Sequence, residues 1–116
     1  TGEKVEKIKV KCVKLSSYLK QKVDFLKLDI EGSEEEVLTE SREYLKNVKY
    51  IFCEYHFTPG ENNFLDKILT ILEEECFDFQ VSKSWSYGLR TKNRPMLHVG
   101  RTYSAVIFAK NRRNMA

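Results

Sequence analysis

Between Val5 and Lys14 the chain alternates: Val5, Ile8, Val10, Cys12 and Val13 are interleaved with Lys7, Lys9, Lys11 and Lys14. That is the period of a strand with one wet face, and lysines at this density suit a sheet edge. Leu15 to Leu19, with Ser16 and Ser17 as cap candidates, is too short for more than a turn or two of helix. The pattern then tightens. Val23, Phe25, Leu26, Leu28 and Ile30 form an apolar run of the kind that fills a strand buried on both faces. Asp29, Glu31 and Gly32 close it. Ser33 follows as an N-cap, with Glu36 completing a capping box and Glu34 and Glu35 set at the positive end of a helix dipole.

The next period is helical. Val37, Leu38, Ser41, Tyr44 and Leu45 recur at spacings of three and four, with Glu40, Arg42, Glu43 and Lys46 on the other face. Asn47 breaks the pattern, and Val48 to Tyr55 is rich enough in aromatic and β-branched residues to predict a second buried strand. Strand, helix, strand at this spacing is a βαβ unit, which puts the two strands parallel and the crossover right-handed. After a turn at Pro59-Gly60, the residues Phe64, Leu65, Ile68, Leu69, Ile71 and Leu72 predict an apolar helix capped by Asn62 or Asn63 and ending near Cys76. Phe77, Phe79 and Val81 alternate as a third strand, and Tyr103 to Ala109 reads as a last buried one. Ser82 to Arg101 between them has no period, and a connection of that length in a compact domain is functional or disordered. Asn111 to Ala116 reads as a frayed end.

With 116 residues, the chain is a single α/β domain, 1–116, burying roughly 60–70% of its unfolded surface. No apolar run approaches the ~20 residues of a membrane span, and Thr1 to Lys11 lacks the core of a signal peptide. The chain can be a piece of a longer one. Cys12, Cys53 and Cys76 are odd in number and lie in or beside apolar segments, so neither a disulfide framework nor a zinc knuckle fits. They read as buried thiols in a reducing compartment, which makes the expected location cytoplasmic.

The net charge of +3 hides an asymmetry. Residues 1–78 hold all 17 acidic groups and 12 Lys and Arg, a net −5, while residues 79–116 hold eight Lys and Arg and no acid, a net +8. A field of that sign attracts anionic partners, but nothing in its spacing resembles a nucleic-acid code. Nucleic acid is the least favoured partner, and a solvated basic end explains the charge as well.

The candidate chemistry lies at the strand ends. In an open α/β sheet ligands sit beyond the carboxyl ends of the strands. If the strands at Val23 and Val48 are parallel neighbours, Asp29 and Glu31 emerge on the same edge as Glu54 and His56. Four polar groups, carboxylates and an imidazole, then converge on one edge of the sheet. Each also has an inert role: Asp29 and Glu31 as helix caps, Glu34 to Glu36 as helix-start charges, and His56 as a hydrogen-bonded strand end. Gly32 serves a positive φ or a close backbone approach. Trp85 and Tyr87, with Arg90 opening the basic run, are the candidates to contact a substrate, although such aromatics also pin loops to cores.

The run LKLDIEGSEEEVL, followed after a helix by YIFCEYH and then by an apolar helix and a strand, resembles the C-terminal half of the FkbM family of S-adenosylmethionine-dependent methyltransferases. The likeness covers roughly residues 5–82 and is strongest in D-x-E-G-x-E (Asp29, Glu31, Gly32, Glu34), preceded by Lys27, and in the E-x-H of Glu54 and His56. It implies a partial Rossmann-like sheet, mostly parallel with an antiparallel last strand, and helices on both faces. Phe25 to Ile30 would be the fourth strand and Lys49 to Tyr55 the fifth. Phe77 to Ser82 would be the sixth, and Tyr103 to Ala109 an antiparallel seventh inserted between the fifth and sixth. It further implies O-methyl transfer to a small-molecule or glycan hydroxyl, with Asp29 and Glu31 facing the cofactor and acceptor. Glu54 and His56 would then orient the acceptor or act as base. The family's glycine-rich cofactor turn precedes the matched region. The five glycines here, at 2, 32, 60, 88 and 100, are too far apart to build one. The alternative is a non-catalytic fragment of the same fold, serving as a binding or oligomerisation module through exposed sheet edges.

Overall fold

The computed structural model describes residues 2–57, 63–83 and 103–113. A short 3-10 turn at Leu15–Tyr18 leads into β1 (Val23–Leu28), followed by α1 (Glu34–Ser41), which tightens into a 3-10 segment at Arg42–Asn47. β2 (Val48–Phe57), α2 (Leu65–Glu74), β3 (Phe77–Lys83) and β4 (Tyr103–Asn111) complete a mixed α/β fold. The strands form one sheet in the order β1-β2-β4-β3.

β1 and β2 pair in parallel, with Phe25 opposite Tyr50 and Leu28 opposite Cys53. β4 pairs antiparallel with both β2 and β3, placing Phe52 beside Phe108 and Phe79 beside Ala109. The expectation of a mostly parallel sheet is therefore corrected: two of its three ladders are antiparallel. The physical cause is the insertion of β4, which separates two strands that run the same way and replaces a parallel contact with two antiparallel ones.

One face of the sheet carries the core. Ile51, Cys53 and Tyr55 of β2, Ile107 and Ala109 of β4, Phe77 of β3 and Leu28 of β1 pack against Leu38 and Leu45 of the first helical segment and Ile68 and Leu72 of α2. Each fully buried aliphatic or aromatic side chain in this set contributes about 1.5–3 kcal/mol. The two helices also pack on each other: Arg42 Nε donates to Glu75 Oε1 at 2.9 Å and its Nη2 pairs with Glu74. Among the described residues, helices on both faces are thus corrected to helices on one. On the other face Phe25 is 57% and Phe108 50% exposed, so β1 is a half-buried strand, with Leu28 turned to the core, rather than one buried on both sides.

Four local expectations also change. Residues 2–14 join no ladder, and Val5, Ile8, Val10 and Val13 are exposed, as is Cys12; alternation makes a strand only where a neighbour supplies the hydrogen bonds. The capping box does not form: Ser33 makes no side-chain cap bond. At α2 the cap position falls on Phe64 rather than an asparagine, and the Tyr55 hydroxyl accepts the Phe64 N–H at 2.8 Å. Asn111 is no frayed end, since it is buried in β4 and its Nδ2 donates to the Val48 carbonyl at 2.9 Å. Among the described residues no helix is long and apolar enough to cross a membrane.

Candidate functional site

β1 ends at Leu28, paired with Cys53, so Asp29 leaves the sheet beside Glu54, which β2 keeps in its ladder with β4. Beyond Asp29 the chain reverses. Glu31 sits at φ 55° and Gly32 at φ 111°, a left-handed pair that glycine relieves at its second position. A Cβ on Gly32 would meet nothing within 4 Å, so it is the positive φ, not a close approach, that calls for glycine. α1 then starts immediately at Glu34.

His56 is the centre of the resulting cluster. Its Nε2 lies 3.5 Å from Glu31 Oε1 and 3.7 Å from Asp29 Oδ1, and its Nδ1 lies 2.6 Å from Glu34 Oε1. The other oxygen of Glu34 accepts the Gly32 N–H at 3.0 Å. Glu54, two residues before His56 on the same side of β2, offers an oxygen that lies with one atom each of Asp29 and His56 inside a 4.8 Å sphere of mutual distance. That spacing could hold a divalent cation. The four residues singled out in the sequence, Asp29, Glu31, Glu54 and His56, therefore meet in one cluster around the imidazole. Trp85, Tyr87 and Arg90 lie outside the described residues.

The electrostatics follow from this crowding. Burial favours the neutral His56 ring, but the hydrogen bond to Glu34 and the charges of Glu34, Glu31 and Glu54 outweigh it and raise its pKa above the ordinary imidazole value. Cys53, behind the cluster, is pushed up to about 12, first by burial and then by Glu34, Asp29 and Glu54. Its thiol is inert as a nucleophile.

Glu34 stands in the first turn of α1, as an acid at a helix start should, but its side chain is also fully buried against His56, which the local pattern does not announce. A signal for this exists in the sequence: the inward stripe Leu38, Ser41 and Leu45, continued back one turn, arrives at position 34. A model of the methyltransferase FkbM domain matches residues 1–79, a span that contains all five members of the cluster. No curated protein and no solved structure matches the chain.

Proposed function

Since the chain belongs to the FkbM methyltransferase family, we propose that it serves S-adenosylmethionine-dependent methyl transfer to the hydroxyl of a small molecule or glycan, as the acceptor-side half of a Rossmann-like catalytic domain. The observation that carries this reading is the meeting of Asp29 and Glu31, just past the carboxyl end of β1, with Glu54 and His56 in the last residues of its parallel neighbour β2. The carboxylates suit the cationic end of the cofactor, and Asp29 would face it. Gly32, alone in an open turn, is no glycine-rich cradle for the rest. When bound, the cofactor supplies an electrophilic methyl group.

The chain's own residues handle the acceptor. Nε2 of His56 would take the hydroxyl proton of the acceptor, Glu31 and Glu54 would orient it, and Asp29 and Glu31 would stabilise the imidazolium that results. Trp85, Tyr87 and Arg90 are proposed as further acceptor contacts on the strength of their residue types alone.

The test is methyl transfer from radiolabelled cofactor by the native protein to a panel of hydroxyl acceptors. His56→Gln and Asp29→Asn should each lower turnover by about 10²–10⁴-fold, the range that general acid–base groups contribute. Near-normal turnover in either returns that residue to a structural role. The 116-residue chain should give no measurable heat on titration with the cofactor, and tight binding would overturn the half-site account.

A second reading, a non-catalytic interaction module, is favoured by the open sheet face with Phe25 and Phe108 half exposed. It requires concentration-dependent association in sedimentation equilibrium that Phe25→Ser with Phe108→Ser abolishes, without methyl transfer.

A further inference from the structure

Within the cluster, Glu34 is the carboxylate that solvent does not reach, whereas Asp29 and Glu31 are 34% and 79% exposed. Its position at the first turn of α1 would account for a charge there, but not for its burial against a ring. Both its oxygens are committed. The Gly32 N–H can only donate, so Oε2 accepts it at 3.0 Å, and Oε1 faces Nδ1 of His56 at 2.6 Å. An ionised carboxylate has no hydrogen to give, so the ring nitrogen that faces it carries one.

From this geometry, and resting on the reading of His56 as proton acceptor, we infer that Glu34 is a positioning residue that holds His56 in the Nδ1–H tautomer. The Nε2 lone pair is thereby kept on the side of Asp29 and Glu31. Nδ1 retains its hydrogen in both charge states, so the proton exchanged with an acceptor is the one at Nε2. The turn through Glu31 and Gly32 belongs to the same device, because the Gly32 N–H anchors the far oxygen of Glu34 and leaves the near one for the ring.

The experiment reads the tautomer directly, by nitrogen NMR of the imidazole in the isotope-labelled 116-residue chain, with His56→Gln identifying the signals. In the wild type above the ring's titration, Nδ1 should be protonated and Nε2 bare. Glu34→Gln keeps the shape of the side chain but inverts the result: the Gly32 N–H claims the amide oxygen, the amide NH₂ is left to face Nδ1, and the hydrogen moves to Nε2. Glu34→Asp restores a carboxylate and should recover part of the Nδ1–H form.

In the native protein, Glu34→Gln should lower kcat steeply with KM changed only a few-fold. Where a histidine base is forced into the wrong tautomer, the loss is on the order of 10⁴. An Nε2–H ring in the wild type, a measurement that needs no variant to fold, overturns the inference, and so does an unchanged tautomer in Glu34→Gln. Inversion of the tautomer with undiminished methyl transfer supports the positioning role and overturns instead the reading of His56 as base.

Discussion

Replacing His56 by Ala strips a partner from a carboxylate that cannot reach water by itself. Glu34 is fully buried, and without the 2.6 Å bond to Nδ1 it keeps only the Gly32 N–H at 3.0 Å on its other oxygen. Removing one member of a buried ion pair costs about 3–5 kcal/mol, while a hydrogen bond to a charged group is worth about 1.5–3 kcal/mol. The His56 side chain is 11% exposed, so the space it vacates opens toward solvent and admits a water with polar partners. That relief places the expected loss at about 2–3 kcal/mol.

Adding Glu34→Gln to the His56→Ala background removes the stranded charge, and the double variant should be more stable than the two single losses predict by about 1.5–3 kcal/mol. Urea denaturation of the 116-residue chain followed by far-ultraviolet circular dichroism measures all four corners of the cycle, with a constant m-value as the check that only stability has changed. A loss below about 0.5 kcal/mol for His56→Ala, the range of ordinary surface substitutions, would refute the coupling. Strict additivity across the cycle would refute it as well.

Further outcomes follow from the same geometry. Because His56 binds its proton more tightly folded than unfolded, the stabilisation from protonation is complete below the unfolded value of about 6.5 and is lost as pH rises through the higher folded value. The stability gap between wild type and His56→Gln should therefore narrow above about pH 6.5 in urea titrations, and a gap that widens with pH would contradict the assignment. Gly32→Ala should cost about 1–2 kcal/mol through backbone strain alone, since its φ is +111° and its Cβ meets no atom; thermal unfolding that shows no loss would remove the strain from the turn. Thiol labelling of the folded chain should modify Cys12, which is exposed, at once and Cys53, which is buried with its pKa pushed up to about 12, only on unfolding. Equal labelling rates would contradict the packing of β2.

What could be read along the chain was whatever a residue owes to its near neighbours. The strands at Val23 and Val48, the helix through Leu38 and Leu45 and the apolar helix through Ile68 and Leu72 lie where period two and period 3.6 place them. The convergence of Asp29, Glu31, Glu54 and His56 needed one further step, a parallel crossover, and the ladder from Val23 to Leu28 supplies it. Periodicity falls short where a face lacks a cover. Val5 to Val13 alternates without a ladder, and Phe25 belongs to an apolar run yet stands 57% exposed, because apolar character states what a surface would gain from burial and not whether anything buries it. The partner of Glu34 goes unread for the opposite reason. An acid in the first turn of a helix is so well explained by the dipole that no partner is sought, although the stripe of Leu38, Ser41 and Leu45 points the same position inward. A carboxylate carried into a core by its helix phase is tolerated only with hydrogen-bond donors to meet it. In this fold the left-handed turn supplies the Gly32 N–H, and the end of β2 supplies the His56 ring. The acid that looks most like a helix signal is thus the one most tightly joined to the histidine.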